Sequence, residues 1–140
     1  MAKETKPFGL WSSPVSPAAL ALRLRLEDVQ WDSDGETLVW LEGRSDRGVL
    51  VAQSGGEASR DLTEEISVLA VASYGGGAFC VREGAVVFAG ADGRLYRRAL
   101  EPDIPKPITA AYGSPASPAI SADARRAAYV HSYEHTDSIA

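Results

Sequence analysis

Cysteine is almost absent. Cys80 is the only one in 140 residues, so no intramolecular disulfide can form and a reducing, cytoplasmic setting is the expectation. It lies in the apolar run Ala78-Phe79-Cys80-Val81, with nothing nearby to make a thiolate of it, and reads as a small buried hydrophobe. Positive charge is short as well. Fourteen lysines and arginines stand against nineteen acidic residues, a net charge of −5, which supplies no basic footprint for nucleic acid or an anionic membrane surface. No window approaches the roughly 18 apolar residues of a membrane span. The opening MAKETKPFGLW has lysines but no apolar core of signal-peptide length behind them. Two catalytic signatures are also missing. There is no G-x-x-x-x-G-K-[ST] phosphate loop and no G-x-S-x-G nucleophile elbow, and the serines stand in turn-like contexts such as Ser12-Ser13, Ser54-Gly55-Gly56 and Ser114-Pro115. Neither a catalytic residue nor a cofactor is expected within this chain.

What is present is a pattern written twice and begun a third time. The stretch from Trp31 to Thr63 can be laid over that from Phe79 to Thr109, with Trp31 on Phe79, Leu38-Val39-Trp40 on Val86-Val87-Phe88, and Leu62-Thr63 on Ile108-Thr109. A third copy opens at Ala119 with AISADARRAAYVHSY. Units of roughly 40 to 50 residues, each with about four short strands, are the mark of β-propeller blades, and a propeller closes with roughly four or more of them. The expected fold is therefore all-β, a partial propeller of about two and a half four-stranded antiparallel blades with an irregular N-terminal arm, belonging to a larger protein.

Turn chemistry sets the internal boundaries. Residues 1–26 form the arm and the approach to the first strand; Pro7, Pro14 and Pro17 oppose regular structure, and Ser16 with Pro17 suits one helical turn. Residues 27–63 make the first blade, 64–77 a connection, 78–110 the second blade and 111–140 the start of a third. Asp32-Ser33-Asp34-Gly35, Glu83-Gly84, Asp92-Gly93 and Ser121-Ala122-Asp123 read as turns, because Asp caps tight turns and Gly supplies positive φ. Between them, Thr37 to Leu41 is nearly continuous in apolar character and is expected to be buried on both faces. A weak outer strand is expected near Arg60-Asp61-Leu62, and Pro107 beside Ile108 suits an edge strand, where a missing N–H costs no ladder bond.

Few residues invite chemistry. His131-Ser132-Tyr133-Glu134-His135 matches the H-x-x-E-H zinc pattern, which needs both histidines on one helical face. Here the segment continues a strand-like run, and in a strand His131 and His135 would stand ~13 Å apart, too far to share a metal ion. No metal site is expected, and a polar turn is the better account. Asp32, Asp34 and Glu36 resemble the start of a calcium loop but lack its final glutamate. Trp31, Trp40, Phe79, Phe88 and Tyr96 recur with the repeat and read as core. The run Tyr74-Gly75-Gly76-Gly77 requires positive φ or close backbone approach, either as a tight structural loop or as a loop on the propeller face.

That run, leading through Ala78 into Phe79, is followed by Asp92-Gly93-Arg94-Leu95-Tyr96 and then Pro107-Ile108-Thr109. In this order and spacing the motifs resemble the N-terminal propeller of bacterial prolyl oligopeptidase family serine peptidases, in the acylaminoacyl-peptidase and dipeptidyl-peptidase-like branch. Pro7-Phe8-Gly9, Trp40-Leu41-Glu42-Gly43-Arg44 and Val130 to Asp137 extend the likeness over almost the whole chain. One departure stands out: Ala72-Ser73 occupies the place where family members often carry His-Glu. The resemblance implies a partner in the same polypeptide, a C-terminal α/β-hydrolase domain with a Ser-His-Asp triad that cleaves short peptides, the propeller gating access to it. The alternative from the residues alone is a free-standing repeat scaffold for a protein partner.

Overall fold

The computed structural model describes residues 24–69 and 77–133. The proline-bearing arm, including Ser16 and Pro17, Tyr74 to Gly76, and Glu134 with His135 lie outside the described residues. Ten strands form in chain order: β1 (Arg25–Trp31), β2 (Thr37–Arg44), β3 (Arg47–Ser54), β4 (Arg60–Asp61), β5 (Phe79–Arg82), β6 (Ala85–Ala89), β7 (Leu95–Ala99), β8 (Lys106–Pro107), β9 (Ser114–Ile120) and β10 (Ala127–Ser132). There is no helix among the described residues. All pairings are antiparallel, and three separate sheets result, ordered β1-β2-β3-β4, β5-β6-β7-β8 and β9-β10. None closes on itself. The chain is all-β.

Each sheet is a meander, because each turn is short enough to return the next strand alongside the last. Arg82 pairs Ala85 across the two-residue turn Glu83-Gly84, where both residues take positive φ (49° and 67°), the primed turn whose twist matches that of a hairpin. The longer turn at Asp32 closes with the Asp32 N–H donating to the Thr37 carbonyl at 2.8 Å, Gly35 at φ 72°, and the Asp34 carboxylate accepting from the Glu36 and Thr37 N–H groups. The turn at Ser121 repeats this plan. Ser121 N–H donates to the Arg126 carbonyl, Ala124 takes φ 53°, and Asp123 accepts from the Arg125 N–H.

The repeat is carried by bonds as well as by letters. In the first sheet the Leu62 N–H donates to the Leu50 carbonyl and the Leu50 N–H donates back to Thr63 Oγ1 at 3.0 Å. In the second, Ile108 N–H donates to the Leu95 carbonyl and Leu95 N–H donates to Thr109 Oγ1 at 2.9 Å. A threonine hydroxyl thus takes over as acceptor where each outer strand leaves the ladder. Pairing also corrects the overlay in the first strand. Trp40 pairs Val29 as Phe88 pairs Phe79, so Phe79 corresponds to Val29 and Trp31 to Val81. The slip of two residues equals the extra length of the Asp32 turn over Glu83-Gly84, and it leaves the facing of the strand unchanged.

The sheets stack face to face. One face of the second sheet, with Phe79, Val81, Val86, Phe88 and Tyr96, packs on Val39, Leu41, Leu50 and Ala52 of the first. Its other face, with Val87, Ala89 and Leu95, packs against Leu69 and against Ile120 of β9. β6 is buried at all five positions. The first strands lie together, β1 beside β5 and β5 beside β9. Between the first two sheets, Val68 bridges both Gly48 and Gly90, and the N–H groups of Val68 and Leu69 donate to the carbonyls of Gly48 and Ala89.

Several expectations change. Phe79, Phe88 and Tyr96 are core, but Trp31 is 62% exposed and Trp40 half-buried, because both lie on the outer face of the first sheet, away from the second. For the same reason β2 is fully buried only on its inner face, with Leu38 half-buried on the other. Cys80 is half-buried on the edge strand β5. Ser114-Pro115 begins β9 and is no turn; the two prolines of that strand are tolerated at a sheet edge. Phe88 is fully buried and stacked on Tyr96 at 5.4 Å, so Phe88→Ala should cost about 3–5 kcal/mol in urea denaturation. Ile104→Ala, at a site 78% exposed, should cost less than about 0.5 kcal/mol in the same measurement.

Candidate functional site

Of the candidate loop, Gly77 is described, and Tyr74, Gly75 and Gly76 lie outside the described residues. Gly77 sits where the first strands of all three sheets converge. Its carbonyl accepts from the Ser117 N–H of β9 at 3.1 Å. A Cβ there would meet the Asp28 carboxylate of β1, which would have to swing aside. Gln30 ties the junction further, donating from Nε2 to the Phe79 carbonyl at 2.9 Å.

At the same end of the stack the β6–β7 turn and the entry to β9 enclose a cleft of about 260 Å³ lined by Leu69, Gly90, Asp92, Gly93, Gly113 and Pro115. Its walls are mostly backbone. A Cβ on Gly93 would stand 2.8 Å from the Gly113 carbonyl, and one on Gly113 would meet the Ser132 carbonyl. Asp92 is the only acid in the cleft wall. It accepts from the Tyr96 hydroxyl at 2.7 Å and from the Arg94 N–H at 3.2 Å, and its hydrogen bond together with burial pushes the Tyr96 phenol above its usual range. Tyr96 is thereby held as a hydrogen-bond donor and is no nucleophile at neutral pH. The cleft is closed to most further bonding from its walls: the N–H groups of Leu69, Gly90, Ala91 and Gly93 donate to the carbonyls of Ala89, Arg94, Ser67 and Gly90, and its one carboxylate is engaged by Tyr96 and Arg94.

A larger cavity of about 750 Å³ opens between the outer strands, lined by Arg60, Asp61, Glu64, Arg98, Asp103 and Pro105 among others. Arg98 is buried, and its guanidinium donates to the carbonyls of Leu62, Ala99 and Glu101; burial pushes its pKa below the ordinary arginine value. Arg60 similarly donates to the Leu100 carbonyl at 2.7 Å. Both cations therefore tether chain. Asp61 takes a bidentate bond from Arg44 (2.6 and 2.8 Å), which holds its carboxyl below the usual range, and Arg44 also binds Glu42 at 2.7 Å.

His131 belongs to β10 and is not in a turn, a correction that follows from its pairing with Pro115. Its ring stacks on Tyr112 at 5.6 Å, and Tyr129 and Tyr133 stand edge-on and tilted to it. His135 lies outside the described residues. Among these no group of three metal-ligating side chains forms, and no helix is long and apolar enough to cross a membrane. The aromatic cluster and the glycine-lined cleft had only partial signals in sequence: glycines at turn positions were visible, their mutual approach across sheets was not. No protein-family model, curated protein or solved structure matches the chain.

Gly93→Ala meets both a backbone carbonyl and a φ of 80°, whereas Gly35→Ala at φ 72° meets open space. Urea denaturation should show about 1–2 kcal/mol lost at Gly35 and clearly more at Gly93. The Asp61 carboxyl is held low, so its contribution is present above the unfolded value of about 4 and lost as pH falls through the lower folded value. Being about one-third exposed, the pair is worth no more than about 1 kcal/mol. Between neutral pH and pH ~3, the Asp61→Asn variant should accordingly lose less stability than the unchanged chain.

Proposed function

We propose that the three sheets are successive blades of a β-propeller, and that the chain is a non-catalytic section of the propeller of a serine peptidase that cleaves short peptides. In this reading the propeller covers the active-site cavity of an α/β-hydrolase domain in the same polypeptide and admits short peptides while excluding folded proteins. One observation carries the propeller reading. Each four-stranded meander has its first strand against the first strand of the next sheet, each leaves from its outermost strand to begin the next, and all stack face to face. The peptidase reading is supported by the order and spacing of the motifs from Tyr74 to Thr109.

An active-site-directed fluorophosphonate should leave every serine of this chain unlabelled, since none sits in a nucleophile elbow. Sequencing the genomic reading frame is the second arm. Further units of the same period should precede a strand, a G-x-S-x-G and a helix, with an Asp and a His following in that order. Stoichiometric labelling within this chain would overturn the non-catalytic assignment. Further repeats without a nucleophile elbow would replace the peptidase reading with that of a free-standing scaffold.

A further inference from the structure

The cavity of about 750 Å³ between the outer strands holds positive charge that its walls leave uncompensated. It is built from residues 60–66, beginning at the outer strand of the first sheet, and 98–105, between β7 and β8 of the second. Arginines reach across it in both directions. Arg60 of β4 donates to the Leu100 carbonyl of the second sheet, and Arg98 of β7 donates to the Leu62 carbonyl of the first. Carbonyls accept N–H groups but carry no net charge. Arg98 is only 7% exposed, yet neither it nor Arg60 forms an ion pair among the described residues. Buried charges are ordinarily paired, because leaving water without a counterion is costly. Two guanidiniums that share one cavity also repel each other.

The carboxylates of the wall do not fill the place of a counterion. Asp61 is taken by Arg44, and Asp103 accepts from the Ala99 and Ile104 N–H groups with Lys106 Nζ 3.9 Å away. Glu64 and Glu65 are exposed, where water and salt screen them from a buried guanidinium. Donors remain. Nη1 and Nη2 of Arg98 each keep a second N–H beyond the bonds to Leu62 and Glu101, and Arg60 uses only Nη2 among the described residues. Around these heads the lining is apolar: Leu62 is buried, Ile66 half-buried, and Ile104, beside Pro105, is 78% exposed.

We propose that this cavity binds an organic carboxylate with an apolar body, Arg98 and Arg60 taking the carboxylate and Ile66 and Ile104 the body. A guanidinium meets a carboxylate through paired N–H donors, which makes arginine the side chain best matched to that planar anion. The site lies on the outer strands, at the opposite edge of the sheets from the first strands and Gly77, and it stands independently of the peptidase reading. A small free acid and the C-terminus of a peptide share this chemistry. Ligand length separates them.

Isothermal titration calorimetry of the full chain with N-acetyl-leucine, N-acetyl-leucinamide and an acetylated hexapeptide ending in a leucine carboxylate tests it. The carboxylates should bind and the amide should not, with affinity falling as salt is raised. Hexapeptide binding at least as tight as that of N-acetyl-leucine identifies a peptide terminus as the ligand, whereas binding of N-acetyl-leucine alone identifies a small acid. Arg60→Met should weaken binding about tenfold or more. Ile104→Ala, at an exposed site, should weaken it several-fold with the far-ultraviolet spectrum unaltered. Because Arg98 also tethers Leu62, Arg98→Lys, which keeps the charge and loses the fork, is preferred to Arg98→Met and should bind with intermediate affinity. Equal binding of acid and amide, no binding of either carboxylate at millimolar concentration, or undiminished affinity in Arg60→Met would overturn the proposal.

Discussion

Burial of β6 on both faces is the constraint on which the other features depend. A strand whose five residues are all buried needs an apolar sheet on each side of it, and the chain supplies one before it and one after it. Val86 and Phe88 look to the first sheet, Val87 and Ala89 to the third, so neither neighbour can be removed without exposing a whole face of the second. Burying a Phe or Val side chain is worth about 1.5–3 kcal/mol, and several such residues share each interface. The first and second sheets each end in an outer strand of two residues, the third has two strands, and all derive much of their hold from this shared packing.

Hydrogen bonding makes the stack specific where apolar contact alone would let it slide. Val68 pairs with both Gly48 and Gly90, fastening the connecting segment to two hairpins at once, and Arg98 reaches across to the Leu62 carbonyl. Thr63 and Thr109 fill equivalent posts at the outer strands, each accepting the N–H of a buried leucine that would otherwise lack a partner. Ion pairs are secondary. The bidentate Arg44–Asp61 pair lies near the surface, where water screens it.

The same economy explains the character of the candidate site. Its glycines are spent on letting sheets converge, its one acid is committed to Tyr96 and Arg94, and the two cations of the larger cavity are committed to carbonyls. Such groups hold shape and present backbone.

Period-two alternation, aspartate-glycine turns and the recurrence of Leu62-Thr63 as Ile108-Thr109 determined most of the strands, the turns between them and the existence of a repeat, because these are local properties: a turn closes on its own residues and a strand alternates on its own backbone. Sequence could equally tell that aromatic residues recur. It could not tell which of them are core, since Trp31 and Phe79 look alike as letters and differ only in whether another sheet lies over them. The two-residue slip of the first strand, the strand character of Ser114 to Ile120, the capture of Arg98 and the approach of Gly93 to Gly113 were likewise decided by tertiary structure. Each depends on the distance between segments far apart in the chain, and that distance is set by packing, to which local pattern is blind.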